Sequence, residues 1–114
     1  MGALIHMYAG VAVSNLEASI AWYTRFFGRA ADHRAGDEVL WDVNDHATLF
    51  IEPKPAGVGA GHVTFGVTGL DKLLAGLTAR GIAHDPIKAY GNGVRHVSVR
   101  DPDGNLIAFA ESPR

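Results

Sequence analysis

The feature that most constrains this chain is a repeat offset by 54 positions: residues 8–28 lie on residues 62–82 without a gap. Val13/Val67, Leu16/Leu70, Ala21/Ala75 and Thr24/Thr78 are identical. Four identities are a weak signal, but the order of elements repeats as well, and a repeated order is what paired structural units leave in a sequence. Each half opens with an apolar/polar alternation of period two, the mark of a strand. In the first half, Ile5, Met7, Ala9, Val11 and Val13 fall on one side; His6, Tyr8, Gly10 and Ala12 fall on the other. In the second half, "HVTFGV" places His62, Thr64 and Gly66 in the positions equivalent to Tyr8, Gly10 and Ala12.

A helical pattern follows each strand. Leu16, Ile20, Tyr23 and Phe27, widened by Trp22 and Phe26, give the first helix one broad apolar face. Ser14 and Glu17 stand at capping-box spacing, and Gly28 supplies the stop. The second helix carries Leu70, Leu73, Leu74 and Leu77, with Thr68 and Asp71 in the capping positions and Gly81 at the end. Three short strands are expected after each helix: "RAADHR", "EVLWDV" and "ATLFIE", then segments around "AHDPIKAY", "GVRHVSV" and "NLIAFA". Asp103-Gly104 is expected to close the last pair as a tight hairpin. The expected organisation is one α+β domain over 1–114. Module one spans 4–52, a Pro/Gly linker 53–61, and module two 62–111. A single βαβββ unit leaves one sheet face bare. The expectation is therefore that two units pair into a curved mixed sheet around a cleft, helices outside, within one chain or between two.

Composition excludes several functions. Hydrophobic residues make up 47% and charged residues 19%, which suits a packed core and not a disordered chain. A net charge of −2 gives no basic footprint for nucleic acid. No apolar run is long enough to cross a membrane. The absence of cysteine removes disulfides and thiolate metal sites, and fits a cytoplasmic protein.

"VSNLEASIAWYTRFFG" and "DPDGNLIAF" resemble V-S-D-L-x-x-S-x-x-F-Y-x-x-x-L-G and D-P-D-G-N-x-I-E-F of the vicinal oxygen chelate superfamily. That superfamily includes glyoxalase I, extradiol dioxygenases, and the fosfomycin- and bleomycin-resistance proteins. The resemblance covers essentially the whole chain and implies the fold, not a reaction. Metal-dependent members bind a divalent ion through four inward strand positions. Mapped onto this chain, these are Tyr8, Phe50, His62 and Ala108. Only one is a good ligand, whereas such ions need three or four. A displaced set of His6, Glu52 and His62 is the alternative way to hold an ion; it requires each ligand to shift along its strand.

The resulting expectation is a metal-independent small-molecule binder whose cleft is lined by Tyr8, Trp41, Phe50, His62 and Ala108, without a cofactor. A metal-dependent lyase, isomerase or dioxygenase is the alternative, which leaves enzymatic activity open. A metal-free enzyme using His62 as acid/base with Tyr8, or a pure assembly module, are further readings. His33, His46 and His84 read as solvated loop residues, and Arg95, His96 and Arg100 as a solvated cationic group. "DPDG" reads as turn chemistry. The expected partners are a small-molecule ligand and a second copy of the chain.

Overall fold

A computed structural model describes residues 2–113 of the chain. Ten elements follow one another: β1 (Met7–Val13), α1 (Leu16–Phe27), β2 (His33–Ala35), β3 (Glu38–Asn44), β4 (Ala47–Pro53), β5 (His62–Val67), α2 (Leu70–Ala79), β6 (Lys88–Ala89), β7 (Arg95–Arg100) and β8 (Leu106–Glu111). The repeat is realised as two βαβββ modules and the fold is α+β. Each module forms its own mixed four-stranded sheet, ordered β1-β4-β3-β2 and β5-β8-β7-β6. In each, the first strand pairs in parallel with the last: Val11 lies opposite Ile51, and Phe65 opposite Phe109. The strand expected around "AHDPIKAY" shrinks to Lys88–Ala89, because Pro86 has no N–H to offer a ladder.

Alternation sets the two faces of each sheet. Odd-numbered residues from both sheets and the leucines of α2 merge into one core, with Val11, Val13, Trp41, Leu49, Ile51, Val97, Val99, Ile107 and Phe109 buried. Helix α1, part of module one, packs on both modules. Tyr23 packs on Trp41 of β3, with ring centroids 5.9 Å apart. Phe26 stacks on Phe109 of β8 at 5.6 Å. The Tyr23 hydroxyl donates to Asp101 Oδ2, at the end of β7, at 2.8 Å. A side chain that reaches β3 of one sheet and the end of β7 of the other places the helix-bearing faces of both sheets on a shared core. The even-numbered faces therefore look away from that core, and among the described residues no ladder joins the sheets. Arg80, at the end of α2, ties the helices together by donating to the carbonyls of Arg25 and Phe26.

The caps differ from the sequence expectation. Asn15, not Ser14, caps α1 by accepting from Ala18 N at 3.0 Å. Ser14 is engaged elsewhere: its N–H and hydroxyl both donate to Asp103. Helix α2 starts at Gly69 in the left-handed region, φ 67°, with no side-chain cap of its own. Glu111 of β8 accepts from Leu70 N instead, at 2.9 Å, so a distant carboxylate stands at the positive end of the helix.

The β7–β8 connection is wider than a two-residue hairpin: Asp101 N donates to Asn105 O across it. Asp101 gathers donors from Tyr23, Asp103 N, Asn105 N and Asn105 Nδ2. Asn105 also accepts from Gly61 N and donates to Ala12 O. "DPDGN" is thus a turn whose polar groups lock module two onto β1 and α1, which is more than local turn chemistry. The cations of β7 are paired and not simply solvated: Arg95 bonds Glu111 and Asp71, and Arg100 bonds Asp85.

Candidate functional site

Four of the five residues expected to line the cleft stand on even-numbered faces, divided between two sheets. Tyr8 and Phe50 are on the sheet of module one, with Tyr8 and Thr48 paired, and Gly10 and Phe50 paired, across β1 and β4. His62 and Ala108 are on the sheet of module two. Tyr8 and His62 are exposed, and Phe50 is half-buried. Phe50 owes its pose to a glycine: its ring lies over Gly10, where a Cβ would come within 2.5 Å of Cζ.

Trp41 does not belong to this set. Its odd number puts it on the core face, where it is wholly buried between Tyr23 and Phe27. Its indole N–H is satisfied by Arg29 O at 3.0 Å. A buried ring with its only donor used is packing, not a ligand platform. Ala108 faces the even side, opposite Thr64 and Ser98, but is 0% exposed, because the small side chain lies below its neighbours. Its methyl group therefore presents no surface to solvent.

The even face of module one holds a polar chain not anticipated from the sequence. His6 Nε2 lies 2.8 Å from Thr48 Oγ1, and the Thr48 hydroxyl donates to Asp42 Oδ1 at 2.9 Å. His33 Nε2 reaches Asp42 Oδ2 at 3.1 Å. His33 is thus a strand residue, opposite Leu40, and not a loop residue. The face is held at its edge by Asp32, which accepts from Arg29 and from Asp42 N; these contacts, that of Arg29 above all, hold its carboxyl below the usual range. The only hint in the sequence was parity: Asp42 and Thr48 share the even face, but their pairing depends on the register of β3 and β4.

The donor set does not suit a divalent ion. Tyr8, Phe50, His62 and Ala108 supply one imidazole, one phenol and two hydrocarbon side chains. The two carboxylates that would balance the charge are missing. The displaced set is not gathered within one chain: Glu52 stands on β4 of module one and His62 on β5 of module two, and no group of three or more His, Asp or Glu placed to hold an ion occurs among the described residues.

The fold and the register of these positions define a paired-βαβββ protein, and comparison with known proteins gives the family. The sequence model of the Glyoxalase/Bleomycin resistance protein/Dioxygenase superfamily matches residues 4–109, and the chain belongs to that superfamily. A glyoxalase/bleomycin resistance protein from Catenulispora acidiphila DSM 44928 is 35% identical, with 96% of this chain and 99% of that one covered and a TM-score of 0.89. A lactoylglutathione lyase from Agrobacterium tumefaciens shares the fold at 22% identity, covering 97% and 96%, with a TM-score of 0.79. A putative glyoxalase family protein from Bacillus anthracis does so at 20%, covering 99% and 97%, with a TM-score of 0.72. No curated protein sequence matches the chain. No helix among the described residues is long and apolar enough to cross a membrane.

Proposed function

We propose that this protein is a metal-independent small-molecule binder of the glyoxalase/bleomycin-resistance type, acting in the cytoplasm as a homodimer. The observation that carries the reading is the chemistry at the four inherited ligand positions: two aromatic rings, Tyr8 and Phe50, on one sheet, and one imidazole, His62, with the methyl of Ala108 on the other. Such a lining suits a flat or amphipathic molecule better than a metal ion. Because the even faces of one chain look away from each other, a cleft that uses both requires a second copy. The N-terminal segment supports this. Leu4, Ile5, Met7 and Tyr8 are 92%, 78%, 69% and 61% exposed, an apolar patch of the kind association covers. In a two-fold dimer the even face of module one of one chain would meet that of module two of its partner.

The test is a ligand screen by thermal unfolding in the presence of chelator, with sedimentation at micromolar concentration. A binding ligand should raise the unfolding temperature without metal, and His62→Ala should lose most of that shift while keeping its fold. A requirement for a stoichiometric divalent ion would overturn the metal-independent reading, and a monomer would overturn the shared cleft.

A further inference from the structure

The chain Asp42–Thr48–His6 has a direction, and the direction says what it can bind. A carboxylate only accepts, so the Thr48 hydroxyl proton points to Asp42 Oδ1. The same oxygen can then only accept from His6, so in neutral His6 the proton sits on Nε2 and Nδ1 carries the lone pair. His33 donates to the other oxygen of Asp42 and completes the carboxylate's partners on this face. Thr48 is buried, so the relay is held under the surface, while the His6 ring is exposed at the mouth of a hollow of about 480 Å3. Among the described residues nothing hydrogen-bonds His6 Nδ1.

We infer that His6 Nδ1 is the proton-accepting point of a subsite for a neutral, ring-bearing molecule with a weakly acidic hydroxyl, a phenol. This rests on the reading that the even face of module one carries the small molecule. An acceptor nitrogen calls for a donor on the ligand. A ring fits because the His6 and Tyr8 rings lie side by side, centroids 4.5 Å apart and tilted by 35°. Neutrality follows from the other charged groups: Asp42 and Asp45 line the hollow together with His33, His46 lines the neighbouring hollow that His6 also borders, and among the described residues no Lys or Arg lines either one. An anion arriving from solvent would bring a bare charge to two carboxylates, whereas a neutral phenol brings its own proton, so the phenolate it leaves is paired with the imidazolium it creates. On transfer, the phenol O–H bond breaks and an N–H bond forms at Nδ1. The products are a phenolate and an imidazolium, whose Nε2–H stays on Thr48 and bonds it more strongly, now charge-assisted.

The experiment uses 4-nitrophenol, whose ionisation is visible in its absorption, with the wild-type protein and its His6→Ala, Thr48→Val and His62→Ala variants. Nitrogen-detected NMR of His6 in the free protein reads the tautomer. The proton should sit on Nε2 in wild type and be shared between tautomers in Thr48→Val. Binding should bring phenolate absorption at a pH where the free probe is largely neutral. His6→Ala should lose that absorption and bind about ten-fold more weakly, the loss of one good hydrogen bond. A proton found on Nδ1, no binding of the probe to wild type, or equal binding to wild type and His6→Ala overturns the inference. If His6→Ala binds like wild type while His62→Ala does not, the shared cleft stands and the His6 subsite falls.

Discussion

Replacing Tyr23 by Phe removes one hydroxyl and nothing else from the buried contact between α1 and the β7–β8 turn. That hydroxyl donates to the Asp101 carboxylate at 2.8 Å. A hydrogen bond to a charged acceptor contributes about 1.5–3 kcal/mol. Asp101 keeps Asn105 Nδ2 and two backbone N–H donors, so the loss should sit at the lower end, about 1.5 kcal/mol. Urea unfolding at fixed protein concentration would show this as a midpoint lowered by roughly 0.5–1.5 M with unchanged slope. The alkaline limb is the sharper test. Burial, reinforced by the charge of Asp101, pushes the Tyr23 hydroxyl far above its usual value. In the unfolded chain it ionises near pH 10, so the stability it lends is complete below about pH 10 and is lost as pH rises, by about 1.4 kcal/mol per unit. Phe has no proton to lose. The two stabilities should therefore differ by about 1.5 kcal/mol at neutral pH and meet near about pH 11. A gap that stays constant up to about pH 11 would refute the reasoning, as would a neutral gap under about 0.5 kcal/mol.

Three further outcomes follow from the same geometry. Glu111 is held below the usual carboxylate range by the N–H of Leu70 and then by Arg95, so its contribution is present above about pH 4.3 and fades as pH falls through its lowered value. Glu111→Gln should be less stable at neutral pH and less steeply acid-sensitive, read from unfolding curves across the acid range. Gly10→Ala should push the Phe50 ring aside at a stability cost under about 1 kcal/mol, since a ring tip can swing, while changing affinity for any ligand found in the screen. Asn105→Ala should cost more than about 3 kcal/mol, because its buried side chain serves Gly61, Ala12 and Asp101 at once; a melting shift of only a degree or two would contradict this.

Much of the fold was legible because burial is periodic. Val11 and Val13, Leu70, Leu74 and Leu77, and the aromatic face of α1 all announce their direction at short range. Trp41 was legible by the same rule: it shares parity with Val39, both in the core, and only its aromatic character argued for the cleft. What could not be read were choices settled at long range. Ser14 looks like a cap until Asp103, 89 positions away, claims it. No local pattern says that Glu111 closes the start of α2. The Asp42–Thr48 bond depends on strand register, and the His6–Thr48 bond on how the chain enters β1. Tyr8 and His62 were found on the exposed even faces because alternation and the repeat agree there; Phe50, outside the repeat, was found through the family resemblance of "ATLF".

Helix α1, by packing on both sheets, also fixes the arithmetic of the proposed dimer. Each chain would donate one aromatic half-site and one imidazole half-site, never both to the same cleft. A chain lacking Tyr8 and a chain lacking His62 would then each be inactive alone. Mixed, they would form heterodimers holding one doubly broken cleft and one intact cleft. Recovery of binding on mixing two dead variants, capped at one cleft per heterodimer, would be the signature of this architecture.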